Sequence, residues 1–508
     1  MWDAIVIGSG ISGLAAAAAL AHRRRRVLVL EQHGVPGGQT QTFRRDRWTF
    51  ATGVHYIGGV GPHPGEAGQF GRVLQWLGDG GLEFAACANP YDIVQWPGFE
   101  FGIVHPQAAL RDALLERFPA EQAAIDGWFQ ACEEARRSAT TLFALNAMPP
   151  LLAFGLRLLR GARAARWAER TVAEEARRLS NPQLRSLLAA RWGDYGVPPD
   201  RAPLTEHALV LGSYEHGAYF PVGGPSRIAE VLRRPIEAAC GELRVGARVR
   251  RILVDAGRVS GVVVESDGHE RIERAPAVVS TMGLHNTTAC LDDQVAPSWR
   301  QAAKGFSPGL SYVALYIGLD GDLAAAGASS ANHWIYASPD VGRVWSSPAD
   351  EDAPGLFVTF PSLKDPAWTG PPTAEVLALV DASAFEPWIH EPDGPRSEDY
   401  LAFKAWIGDR LVAQFDRHFP ALKPMRRFHE LATPLTQRHF VQTEAGAMYG
   451  LELTGDKLLS EDLKLRTPVP GLLLAGQDLS GPGIQASCLS GLMAAATIEP
   501  ALWRQMAA

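Results

Sequence analysis

An α/β fold in two interleaved parts, one built on a parallel sheet and the other α+β, is what the sequence predicts, on three observations. A strand, a glycine turn and an alanine-rich helix open the chain as "AIVIGSGISGLAAAAAL". A second apolar strand follows, "RVLVLE", and ends on the acid Glu31. Short alternating strands and tight turns return in the middle of the chain, and an apolar strand leading into a helix returns near its end. Strand, crossover helix and strand in that order build a parallel sheet.

In the opening unit each glycine has its own task. Gly8 permits the tight turn, Gly10 lets backbone approach a pyrophosphate, and Gly13 allows helix and strand to pack closely. Ile11 and Ser12 begin the helix, whose first amides have no partner within it and so favour an anion. Glu31, followed by Gln32, ends the second strand, where a carboxylate accepts both hydroxyls of an adenosine ribose and disfavours a 2′-phosphate. A bare GxGxxG is weak evidence; the strand before it, the helix after it and Glu31 make it a Rossmann-like dinucleotide motif. A second glycine pair, Gly37-Gly38, follows, then Gln39 and Thr40.

In the middle, "GAYFPVGGPSRIAEVLRRPIEAACG" gives a turn and then a helix with Ile228, Val231, Leu232 and Ile236 facing inward. Strands follow with turns at Ala256-Gly257 and Asp267-Gly268, then the buried strand "AVVST". Val249, in this section, is counted among the cofactor-binding candidates. The cofactor domain is assigned to residues 1–75, 215–285 and 436–508. Residues 76–214 and 286–435, richer in tryptophan, proline and leucine, are assigned to a substrate domain. Its aromatics, among them Trp96, Phe99, Phe101, Trp192, Tyr195, Tyr219 and Phe220, are candidates to line an apolar tunnel, with core packing as the alternative.

Composition excludes several classes. The chain has 508 residues, 46% hydrophobic and 20% charged, with a formal net charge of −7, so more than one core is expected and no basic excess serves nucleic acid. Five scattered cysteines without a CxxC or His/Cys cluster indicate neither a disulfide framework nor a metal site. No signal peptide and no bilayer-spanning run are read. Near 148–170, "MPPLLAFGLRLLRGARAARWAER" combines leucines with Arg157, Arg160, Arg163 and Arg166. It reads equally as an interfacial helix or as a cap over a tunnel. The turn Arg23 to Arg26 reads as solvated charge. A cytoplasmic protein, in peripheral contact with a membrane if the interfacial reading holds, is expected.

Near the C-terminus, "VPGLLLAGQDLSGPGIQASCLSGLMAAATI" gives a strand that breaks at Gly476-Gln477-Asp478 and a helix starting near Ile484, just after Gly483. With "EQHGVPGGQTQTF", "TGVHYIGG" and "GAYFPVGG", this segment resembles the carotenoid desaturase and isomerase superfamily of FAD proteins, especially its retinol saturase branch. The resemblance implies FAD, with the Gly37-Gly38 pair beside the pyrophosphate, Asp478 at the ribityl chain and the last helix pointing at the flavin. Departures are Ala51, where relatives usually carry an acid, and the turn at Arg23 to Arg26, which lacks the usual glycine.

Alkene reduction needs a proton beside each hydride, so a phenol or imidazole near the flavin is useful. His55, Tyr56, Glu215 and Tyr449 are the catalytic candidates, with His216 and Glu444 behind them, and each could equally be a structural hydrogen-bonding group. The resulting expectation is an FAD-dependent oxidoreductase that saturates a C=C bond of a long apolar conjugated polyene. Its electron partner is open among NAD(P)H, a quinone and oxygen, since no second GxGxxG with its own strand and acid is present. Rivals are a desaturase, a flavin-dependent cis–trans isomerase, a non-catalytic pigment- or lipid-binding protein, and, least favoured, an amine oxidase.

Overall fold

The computed structural model describes residues 1–61, 68–148, 150–389, 391 and 394–507. Its first sheet has five parallel strands in the order Leu472–Leu474, Val278–Ser280, Ala4–Ile7, Val27–Leu30 and Glu242–Arg244. Four of these are buried at every residue, which is why they read as unbroken apolar runs rather than alternating ones. The helix Ile11–Ala21 is buried along its whole length, packed against the helices Ser226–Ala238 and Gly483–Ile498. Its alanines therefore serve a tight layer as well as helix propensity. A Cβ at Gly491 would collide with the Ser12 carbonyl oxygen, so the two helices touch backbone to backbone there.

Three antiparallel strands, Arg248–Asp255, Arg258–Ser266 and His269–Arg274, hang beside this sheet. Both connecting turns take positive φ at their two central residues, Ala256-Gly257 and Asp267-Gly268, the geometry that matches strand twist in a two-residue hairpin.

The second sheet has seven strands in the order Arg426–Ala432, Ser311–Leu319, Thr373–Val380, Gly355–Thr359, Asn332–Tyr336, Asp92–Trp96 and Phe99–Ile103. Only the pairing of Asn332–Tyr336 with Asp92–Trp96 is parallel. Along Ser311–Leu319 side chains alternate between two cores. Val313, Leu315 and Ile317 pack with Ile407, Leu411 and Phe415 of the helix Glu398–His418, whereas Tyr312, Ala314 and Tyr316 join the aromatic core on the opposite face. The helices Gln122–Ala147 and Leu204–Ser213 pack together and border that second core.

Of the aromatics named from sequence as tunnel candidates, Trp192 alone lines a cavity described below. Trp96 and Phe99 stack on each other at 4.0 Å inside the core, and Tyr195 is buried with its hydroxyl 3.1 Å from His207 Nδ1. Their apolar character reflects packing. Near the C-terminus the chain does not simply break at Asp478: Gln477–Ser480 forms one helical turn, and the long helix begins at Gly483.

The arginine- and leucine-rich stretch folds as Pro150–Leu156, a π-helical turn Arg157–Gly161, and Ala162–Glu169; Pro149 lies outside the described residues. Leu151, Leu158 and Leu159 are 87%, 73% and 84% exposed, and Leu152 and Phe154 are exposed beside them. Among the described residues no helix is long and apolar enough to cross a membrane.

Candidate active site

The glycine turn is built as its sequence requires. Gly8 sits at φ +97°, and a Cβ there would strike the Thr281 hydroxyl. A Cβ at Gly13 would strike the Gly8 carbonyl oxygen. Gly10 differs from both, since a Cβ on it would meet nothing within 4 Å. The open space beyond it belongs to a cavity of about 980 Å³ lined by Gly8, Ile11, Ser12, Glu31, Gln32 and Val249, among others. Gly37 and Gly38, both at positive φ, bring a second turn against the first, with the Gly38 Cβ position 3.1 Å from the Gly10 Cα. Gly38, Gln39 and Thr40 line the same cavity, whereas Gly37 and Gly13 lie behind its wall.

Glu31 is buried and locks this corner. Its Oε2 accepts the Ser9 amide at 2.9 Å and the Ser9 hydroxyl at 2.7 Å, and its Oε1 accepts the His33 amide at 2.8 Å. Asp478 does the same at the far end, where its two oxygens accept the amides of Leu284 at 2.8 Å and Leu451 at 2.9 Å. Glu31 Oε1 and both Asp478 oxygens, each with one bond, keep accepting capacity, and both residues line the cavity. Gly476, Gly483, Ile484 and Ser487 close that end. Ser490 instead faces inward, its hydroxyl accepting the Gly476 amide at 2.7 Å.

A second cavity of about 260 Å³ adjoins the first, sharing Gly53, His55, Tyr312, Tyr449, Gly483 and Ile484 as common wall. Its remaining wall is largely apolar, with Trp192, Leu209, Val210, Trp334, Phe357 and Leu379. His55 and Tyr449 thus stand at the junction, and Tyr56 lies just inside the apolar cavity. Glu215 and His216 line neither cavity. Glu215 instead accepts the Gln107 amide at 3.1 Å, taking up an orphan N–H at the start of the helix Gln107–Arg117. Glu444 is on the rim of the larger cavity, paired with His285.

Tyr56 is anchored in a buried polar cluster that sequence reasoning missed. Its hydroxyl donates to Asp194 (3.0 and 3.2 Å to the two oxygens), with Asp92 Oδ2 at 3.4 Å. Arg191 donates to the Tyr91 hydroxyl at 2.6 Å and to Asp92 at 3.3 Å, and Asn332 donates to the other Asp92 oxygen at 3.1 Å. Lys364 donates to the His55 carbonyl at 2.7 Å, to Thr359 at 2.6 Å and to Asn332. Burial raises the Tyr56 phenol and the Asp194 carboxyl and lowers the Lys364 ammonium, while Arg191 pulls Asp194 back toward ionisation. His55 Nδ1 lies 2.9 Å from Glu375 Oε2, close but outside hydrogen-bond alignment, and the other Glu375 oxygen accepts the Ala51 amide at 2.7 Å. Charged residues inside the apolar run "LLAARWGDYG" were the one signal for Arg191 and Asp194.

A glycine-walled cradle at a parallel sheet, opening onto an apolar cavity under a mixed sheet, gives this α/β protein a Rossmann-like part and a fold shared with amine oxidases. Residues 6–67 match the family model described as an NAD(P)-binding Rossmann-like domain. A putrescine oxidase mutant structure superposes with a TM-score of 0.65 over 98% of this chain and 99% of that one, at 15% identity, which speaks to fold alone. The all-trans-retinol 13,14-reductase of Rattus norvegicus is 33% identical, aligned over 98% of this chain and 85% of the relative. The chloroplastic prolycopene isomerase of Arabidopsis thaliana is 25% identical over 97% of this chain and 82% of its own length. The chain belongs to the retinol saturase family of oxidoreductases, within the carotenoid isomerase and desaturase superfamily.

Proposed function

We propose that this protein binds FAD and reduces a C=C bond of a long, apolar, conjugated polyene. The observation that carries this reading is the shared wall: the nucleotide cradle ends where an apolar cavity begins. FAD, when bound, supplies two-electron hydride chemistry. Amides at the start of the helix Ile11–Ala21 and the bare Gly10 and Gly38 backbone would hold its pyrophosphate, with Glu31, Gln32 and Val249 toward the adenosine. Gly476, Asp478, Gly483 and Ile484 would hold the ribityl and ring end. The indole and phenyl walls exclude water and align a flat conjugated chain. Tyr56, its hydroxyl donating into Asp194, gives that wall one fixed polar point.

All-trans-retinol, named in the rat relative, is the first substrate to test, mixed anaerobically with the FAD-loaded protein after dithionite reduction of the flavin, with product mass as the readout. A gain of two hydrogens is expected. Loss of two hydrogens or no reaction contradicts the reductase reading. The prolycopene isomerase similarity supports one second reading, in which geometry changes at constant mass.

The substrates in question partition into lipid, and the exposed leucines at 151–159 are the lipid-facing surface of this proposal. The helix before them, Gln122–Ala147, lends Phe143 to the apolar cavity, so patch and cavity are neighbours along one element. Arg160 and Arg166 flank the leucines as an interfacial helix requires. The double variant Leu151→Asp, Leu159→Asp should bind anionic phosphatidylserine vesicles about tenfold or more weakly in cosedimentation, since burying even one leucine is worth ~1.5–3 kcal/mol. Unchanged cosedimentation would show the stretch to be a solvated cap.

A further inference from the structure

Two carboxylic acids line the apolar cavity, Asp194, which holds Tyr56, and Glu206. Glu206 sits in the first turn of the helix Leu204–Ser213, is 4% exposed, and lines the apolar cavity. Among the described residues its carboxyl has neither a hydrogen bond nor an ion pair. It lies against the backbone that leads into the last helix, its Oε2 3.1 Å from where a Cβ of Gly481 would be, and a side chain at 481 would press on it. Pro482, Gly483 and Ile484, next along that backbone, line the same cavity, and the last two also line the nucleotide cradle. Glu206 is therefore on the cradle side of the substrate space.

Other acidic groups facing this space are engaged or too weak: both Asp194 oxygens accept the Tyr56 hydroxyl, and burial weakens the Tyr214 phenol. The Tyr56 proton points into Asp194. Tyr312 donates to Gln437 at 3.1 Å, and Tyr336 donates to the Ala190 carbonyl. Tyr449 is a phenol made weaker still by burial. An unpartnered carboxyl held in an apolar wall costs free energy unless it stays neutral, and a neutral carboxyl is a proton donor.

We infer that Glu206 is the catalytic acid that protonates the polyene, an assignment that rests on the alkene chemistry proposed above. One alkene carbon receives a hydride, two electrons and a proton together, from a dihydroflavin as reductant. The neighbouring carbon takes H⁺ from the Glu206 carboxyl: the O–H bond breaks, a C–H bond forms, and a carboxylate remains until solvent returns the proton. Desolvation pushes this carboxyl up to about 8, against the pull of Lys457. Lys457, on the helix Gly455–Leu459, is itself buried, donates to the Leu451 carbonyl at 3.1 Å and also faces Asp478. It stands where it can stabilise the transient carboxylate.

The test uses the FAD-loaded protein under anaerobic conditions with excess dithionite as the electron donor that keeps the flavin reduced, with Glu206→Gln and Glu206→Asp. In E206Q, turnover of all-trans-retinol should fall about 100-fold or more, with KM and the flavin spectrum unchanged, and E206D should restore part of it. Native activity should be present at neutral pH and lost as pH rises through about 8, because the donor must be protonated. Independently of activity, the native-minus-E206Q infrared difference spectrum at neutral pH should show a protonated-carboxyl carbonyl stretch from Glu206, apart from any contribution of Asp194, whose pKa burial also raises. Native-like turnover by E206Q overturns the assignment. So does a Glu206 carboxyl that is already ionised at neutral pH, whatever the enzyme turns over. A protonated Glu206 in a protein that reduces no polyene removes the polyene reading and, with it, the catalytic role, while leaving the buried neutral acid.

Discussion

Gly10→Val should abolish dinucleotide binding while leaving the chain folded. At Gly10 the backbone has φ −62° and ψ 172°, which a β-branched residue adopts without strain, and a Cβ there meets nothing within 4 Å. The isopropyl group would therefore enter the cradle rather than the core, occupying the space in which a pyrophosphate must approach the helix amides. FAD affinity should drop about 100-fold or more, equivalent to ~2.7 kcal/mol. The far-UV circular dichroism and apo-protein unfolding midpoint should stay put. Gly13 supplies the contrast: its Cβ would strike the Gly8 carbonyl, so Gly13→Val should lower the unfolding midpoint as well. Native-like FAD binding by Gly10→Val would move the nucleotide elsewhere.

Arg191→Met should cost ~3–5 kcal/mol of folding stability, the range for breaking a buried ion pair from one side. Arg191 and Asp92 have side chains 4% and 0% exposed and meet at 3.3 Å. Methionine fills the aliphatic space but leaves the Asp92 charge without its cation and the Tyr91 hydroxyl without its donor. The double variant Asp92→Asn, Arg191→Met should recover part of the loss, since it removes the stranded charge. Denaturant unfolding of the two variants beside the native protein decides it. A single variant as stable as native would mean that the pair contributes little.

The nucleotide cradle was legible because its physics is local. Gly8, Gly10 and Gly13 fall within one turn and the start of one helix, and the reason for each glycine is a clash or an opening within a few residues or at the adjoining strand. Glu31 was legible as the end of a strand, though not its grip on the Ser9 and His33 amides. The polar cluster at Tyr56 was not legible. Asp92, Arg191, Asn332 and Lys364 come from well-separated segments, and only the seven-stranded sheet and its helices bring them together. Glu215 illustrates the converse. It adjoins a motif in sequence, yet a free amide at Gln107 claims its carboxylate, whereas Glu206, nine residues earlier in the same segment, turns into the cavity.

The central claim is that the glycine cradle holds FAD against an apolar, substrate-sized space. The visible absorption spectrum of the native protein, loaded with FAD and passed through gel filtration, tests it most directly. The expected result is an oxidised-flavin spectrum that co-elutes with the protein at about one FAD per chain, as a single cradle requires. A colourless protein peak, with all of the flavin left in the small-molecule fraction, would contradict it.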